Sequence, residues 1–188
     1  MTALSRFFLT AKHWQLFILL FGTMTVAQIA MIAASVSTET NTSSVMIGTL
    51  MLPFIAALLY WFWVLGSFLH SITQPQIRPR MVFFRVALLC PAIYLPVFVF
   101  LFPNFPPGLS LLFLVHMFAT FCMFYLLYFV AKSLVVAETG KPAGFYDFAG
   151  PLFLIWFFPL GVWFVQPRIN RLFAERQIIQ ADEQLRTE

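Results

Sequence analysis

Residues 45–70 read Val-Met-Ile-Gly-Thr-Leu-Met-Leu-Pro-Phe-Ile-Ala-Ala-Leu-Leu-Tyr-Trp-Phe-Trp-Val-Leu-Gly-Ser-Phe-Leu-His, a run without Asp, Glu, Lys or Arg. A hydrocarbon slab about 30 Å thick is crossed by roughly 20 apolar residues in a helix, so this run is long enough to span a bilayer. Further apolar blocks surround it, at residues 14–36, 81–102, 109–137 and 145–166. Of the 188 residues, 61% are hydrophobic and 10% charged, against about 25% charged in a soluble domain. Too little polar surface remains to cover a water-facing globule. The fold class expected is all-α: a polytopic transmembrane helix bundle with four spans, a fifth membrane segment broken by Pro and Gly, and an amphipathic C-terminal tail.

Phenylalanine occurs 25 times, against five tyrosines and five tryptophans. Phe tolerates lipid on every side, whereas Tyr and Trp prefer the headgroup level. Much of the surface is therefore expected to face lipid tails. Working outward from the opening run, residues 37–44 form a polar loop with the sequon Asn41-Thr42-Ser43, and residues 74–80 form a Pro- and Arg-rich connector. Pro91 and Pro96 should kink the third span. Asn104-Phe-Pro-Pro-Gly108 is a tight turn. The fifth block is interrupted by Pro151, Pro159 and Gly161, and the tail over 167–188 carries Ile169, Leu172, Phe173, Ile178, Ile179 and Leu185 as a loose helical stripe. Such a stripe suits a membrane surface or a partner.

Lys and Arg accumulate in cytoplasmic loops. Here they fall in the head (Arg6, Lys12), the second connector (Arg78, Arg80) and the fourth (Lys132, Lys141), while the first and third connectors have none. The N-terminus is expected in the cytoplasm and the protein in the inner (plasma) membrane. A complete fifth span would put Arg168 and Arg171 outside. A segment turning back near Pro159 would keep every basic residue inside, but it needs protein to cover its turn. The length of the block favours the complete span.

Ionisable groups at membrane depth are functional candidates, and the one acidic residue in any apolar block is Asp147, at the very start of the last. The sequence also lacks a zinc-protease motif, a nucleophile elbow and a phosphate-cradling glycine loop. No catalytic residue, metal ligand or cofactor is assigned, and an enzyme is the less favoured class. Arg78, Arg80, Arg85 and His70 form a candidate patch for lipid or anion contact, with interfacial snorkelling as the plainer account of the arginines. Thr25, Gln28, His116 and Thr120 are a candidate polar path; His116 is read as neutral and hydrogen-bonded to a helix neighbour. Thr23, Ala27, Ala30 and Ala34 form a small-residue stripe of the kind that lets helices pack closely in lipid. Cys90 and Cys122 are read as free thiols.

The stretch Trp156-Phe-Phe-Pro-Leu-Gly-Val-Trp-Phe-Val-Gln-Pro-Arg-Ile-Asn170 resembles the C-terminal region of a family of uncharacterised multi-span proteins from bacterial inner membranes. Lys12-His13-Trp14-Gln15-Leu16-Phe17 is similar to their opening. The resemblance covers two short pieces of the chain and implies a bacterial membrane protein, with no activity or functional residue attached.

The function expected is that of a non-enzymatic membrane-complex subunit or assembly partner. The alternatives are a small channel or transporter formed on oligomerisation and, last, a lipid-modifying enzyme at the cytoplasmic basic rim. Partners are membrane lipids and either a second copy or another membrane protein. The net charge of +4 meets lipid headgroups rather than nucleic acid.

Overall fold

The computed structural model describes residues 2–37, 40–101 and 110–187. Helix is the only regular structure among them: α1 Ala3–Thr10, α2 His13–Phe17, a π-helical turn Ile18–Gly22, α3 Thr23–Ser37, α4 Thr40–Ile72, α5 Met81–Leu101, α6 Ser110–Thr139, α7 Phe145–Trp156 and α8 Phe158–Thr187. Stretches His13–Ala30, Met51–Ile72, Met81–Phe98 and Phe113–Thr139 are long and apolar enough to cross a membrane. Over the described residues the protein is all-helical, with four candidate spans that mark it as a membrane-embedded chain. Helix α4 starts at Thr40, so most of the stretch expected as a loop at 37–44 is helical; a polar first turn simply carries the helix beyond its apolar part. The turn expected at Asn104–Gly108 lies outside the described residues, as does the side chain of Ala34.

The chain divides into two compact units. The unit of residues 18–62 and 80–126 holds most of the apolar spans. Trp61, Phe62, Phe84 and Leu126 are buried in it, while Phe83, Phe113, Phe118 and Phe121 are exposed. Helices apolar on all sides belong in a membrane or deep in a core. The π turn interrupts the usual i→i−4 ladder. The Thr23 hydroxyl compensates by donating to the carbonyls of Leu19 (2.7 Å) and Leu20 (3.1 Å), and the Thr25 hydroxyl donates to Phe21 (2.8 Å). Pro91 and Pro96 both lie within the continuous helix α5.

The other unit, residues 1–17, 63–79 and 127–188, contains the two ends of the chain. Helix α1 is capped by Thr2, whose hydroxyl accepts from the Ser5 amide at 3.2 Å. Helix α2 opens with Lys12, whose amide donates to the Gln15 side chain at 2.9 Å, one half of a capping box. Helix α6 ends where Gly140 takes φ +65° and donates its amide to Val136. That left-handed stop suits Gly because no Cβ is present to clash.

Helices α7 and α8 fold against each other. The break is at Phe157 (φ −85°, ψ 58°), close to an inverse γ-turn. Its backbone groups stay satisfied: the Phe157 amide donates to Phe153, and the Leu160 and Gly161 amides both donate to the Phe157 carbonyl. Gly161 then sits directly on the Leu154 peptide. A Cβ there would be 2.5 Å from the Leu154 carbonyl carbon and 3.2 Å from the Ile155 nitrogen. Seven residues rise about 10 Å in a continuous helix, so this approach exists only because the chain turns sharply.

Along α6 the same reversal is visible. The Phe148 ring, early in α7, lies 5.3 Å from Tyr128, whereas Arg168 in α8 meets Glu138, which lies towards the C-terminal end of α6. The chain therefore runs beside α6 in one direction through α7 and returns through α8.

Candidate functional site

The first half of α8 gathers most of the polar contacts that join distant parts of the chain. Gln166 is fully buried. Its side-chain nitrogen donates to the carbonyl of Phe8 (2.9 Å), to that of Ala11 (3.3 Å) and to Asn170 Oδ1 (2.9 Å). One turn on, Asn170 Nδ2 donates to the Ala11 carbonyl at 3.1 Å. The last carbonyls of any helix lack intrahelical partners, and α1 ends at Thr10. Two side-chain amides at i and i+4 thus supply the donors that α1 and the turn after it lack. Phe8 is buried, so its carbonyl would otherwise be stranded from water.

One turn before Gln166, the Trp163 ring packs against His13 (centroids 4.5 Å apart) and Phe17 (5.9 Å). Residues 12–17 and 156–170 therefore touch. On another face of α8, Arg168 engages Glu138 through both Nε (2.7 Å to Oε1) and Nη2. Arg171 lies 3.6 Å from the same carboxylate, which is only 13% exposed. A forked guanidinium on a half-buried carboxylate fixes the orientation of both partners. The Phe173 ring completes the attachment against Phe68 at 5.6 Å.

Among the described residues Phe173 is the last that is buried. From Ala174 to Thr187 helix α8 continues with every residue exposed, including Ile178, Ile179 and Leu185. These 14 residues form about 21 Å of helix at 1.5 Å per residue. The arrangement is a securely mounted rod with an apolar component on its free half.

The residues singled out from sequence are distributed differently. Arg78, Arg80 and Arg85 are exposed and His70 is half-buried; His70 and Arg78 belong to one unit, Arg80 and Arg85 to the other. Within the second unit, His116 Nδ1 pairs with the Tyr94 hydroxyl at 2.9 Å, and its ring lies 5.8 Å from Phe98. Thr120 donates to the His116 carbonyl at 2.9 Å. The hydroxyls of Thr25 and Thr120 are thus spent on their own helices, and Gln28 is half-buried. In the small-residue stripe Ala27 is buried while Thr23 and Ala30 are half-buried. Cys90 and Cys122 are both free.

Tyr94, Trp163, Gln166 and Asn170 were not among the sequence candidates. A signal existed for some of them. A Tyr among so many Phe needs a partner for its hydroxyl, and Gln166 is an amide closing an apolar block. An apolar groove of about 290 Å³ runs between α5 and α6, lined by Phe83, Val86, Ala87, Phe118, Phe121, Cys122 and Tyr125. It lacks the convergent polar groups that orient a small ligand. Among the described residues no group of three or more His, Cys, Asp or Glu side chains comes together. Compared with known proteins, the chain matches no family model, no curated protein and no solved structure.

Proposed function

We propose that this chain is a non-enzymatic subunit or assembly partner of a bacterial inner-membrane complex, holding the free half of α8 out to another protein on the cytoplasmic side. The observation that carries this reading is the exposed rod from Ala174 to Thr187, mounted by Gln166, Asn170 and Arg168 on the rest of its unit. A helix of about 12–15 residues is marginal alone in water, so leaving one unsupported with apolar side chains exposed makes sense where something covers it.

The fold-back of α7 and α8 supports that side of the membrane. The 12 residues of α7 rise about 18 Å, too little for a 30 Å slab. Phe158 to Arg168 covers a similar length in return, ending against Glu138. We infer that the fifth apolar block enters the bilayer to about half its depth and comes back, rather than crossing as its length alone suggests. The internal hydrogen bonds at Phe157 meet the objection that a turn in lipid strands its backbone. All 11 basic residues then lie on one side, as the positive-inside rule favours.

Two measurements test this. With Cys90 and Cys122 replaced by Ala, a cysteine at Thr187 should react with an impermeant maleimide only from the cytoplasmic face; labelling from outside would sink the re-entrant reading. Chain termination after Phe173 should reduce the size of the complex in mild detergent while leaving the melting temperature unchanged. Equal sizes with and without residues 174–188 would overturn the assembly role.

A further inference from the structure

We propose that the free half of α8 pairs in parallel with the same helix of a second copy of this chain, as a short two-stranded coiled coil. This rests on the reading that the rod meets a protein partner, and it names that partner. Ala174, Ile178, Ala181 and Leu185 recur at intervals of four, three and four, which is the a/d spacing of a heptad. Ile178 and Leu185 are 70% and 75% exposed, so the seam has no cover from its own chain. It begins beyond Arg171, the preceding position in the same register, which is held by Glu138 and Glu175.

The charges choose among the surfaces that might cover the seam. Three carboxylates (Glu175, Asp182, Glu183) stand against two guanidiniums (Arg176, Arg186) between Ala174 and Thr187. Helices that lie on anionic bilayers are instead rich in Lys and Arg, so the membrane surface is a poor occupant. One flank of the seam carries Glu175 and Asp182, the other Gln177 and Gln184. In a parallel pair opposite flanks meet, and Gln177 faces the Asp182 of the other copy, an amide against a carboxylate. In an antiparallel pair like flanks meet, and Glu175 faces Asp182, two carboxylates. Each of these acids already has a cation on its own helix, Arg171 at 3.8 Å and Arg186 at 2.9 Å, which leaves the seam with neutral edges.

Copies oriented alike in one membrane send α8 out in the same direction, so the parallel arrangement needs no rearrangement of either chain. The seam spans only about two heptads and would be weak between free peptides. Confinement of both copies to one bilayer supplies the effective concentration that a short seam needs.

Cysteine cross-linking of the full chain in membranes tests the proposal, in a background with Cys90 and Cys122 replaced by Ala. Ile178→Cys and Leu185→Cys, both on the seam, should each form disulfide-linked homodimers under mild oxidation. Gln180→Cys and Glu183→Cys, on the far side of the same helix, should stay monomeric. All four positions are exposed, so the melting temperature of each variant should match the cysteine-free parent. Equal cross-linking at all four sites, or none at Ile178 and Leu185, would overturn the proposal. So would cross-links only between Ile178→Cys and Ala181→Cys in mixed copies, which indicate antiparallel pairing. Cross-linking from the seam to a protein of different mass would also overturn it, while leaving the assembly role standing.

Discussion

Replacing Gly161 by Ala should open the α7–α8 turn, and the cost follows from the geometry. The new methyl group would sit 2.5 Å from the Leu154 carbonyl carbon, where carbon atoms prefer about 3.5–4.0 Å. The two helices must therefore separate by about 1 Å or more. The obstructing atoms are backbone, so no side-chain rotation can relieve the contact. Overpacking of a well-packed site costs typically 1–3 kcal/mol, and a clash with main chain belongs at the upper end. For a chain of this length 1 kcal/mol corresponds to roughly 2–4 °C, giving a fall in melting temperature of about 6–12 °C. The assay is thermal unfolding in one detergent, followed by tryptophan emission, with Trp156 and Trp163 flanking the turn. Gly150→Ala is the control, because a Cβ there meets nothing within 4 Å and Ala is favoured over Gly inside a helix by roughly 0.5–1 kcal/mol. The two substitutions should move the midpoint in opposite directions. If Gly161→Ala melts as high as the unaltered protein, the close approach of α7 and α8 is wrong, and the re-entrant reading loses its geometric basis.

Gln166→Leu should cost about 1–3 kcal/mol for each buried carbonyl left without a donor, and limited proteolysis should then cut near Ala11 faster than in the unaltered chain. Ala27→Leu should destabilise by about 1–3 kcal/mol through overpacking and by more than Ala30→Leu, since Ala27 is the more buried; equal melting temperatures for the two would show that the stripe is not a packing face.

Long charge-free runs were enough to read an all-helical membrane chain from residues alone, because a bilayer selects on length and apolarity, which are local properties of the sequence. The end of α6, at Thr139 against an apolar block ending at 137, was legible for a similar reason: it is decided within one or two turns of chain. The π turn at Ile18–Gly22 was not, since a change in the backbone ladder leaves no periodic mark on residues that are apolar on every side.

The path of the fifth block was the point on which sequence was divided. Residues 145–166 have the length to cross, and length was the only measure available. Its direction depends on contacts between residues far apart in the chain: Phe148 with Tyr128, Gln166 with Phe8 and Ala11, Arg168 with Glu138. A proline or glycine marks where a helix can bend, but not how far, because the angle is fixed by what the two arms then touch. The same holds for the polar candidates. Sequence named His116 but not Tyr94, since a side chain announces its own chemistry while its partner is chosen only when the helices pack.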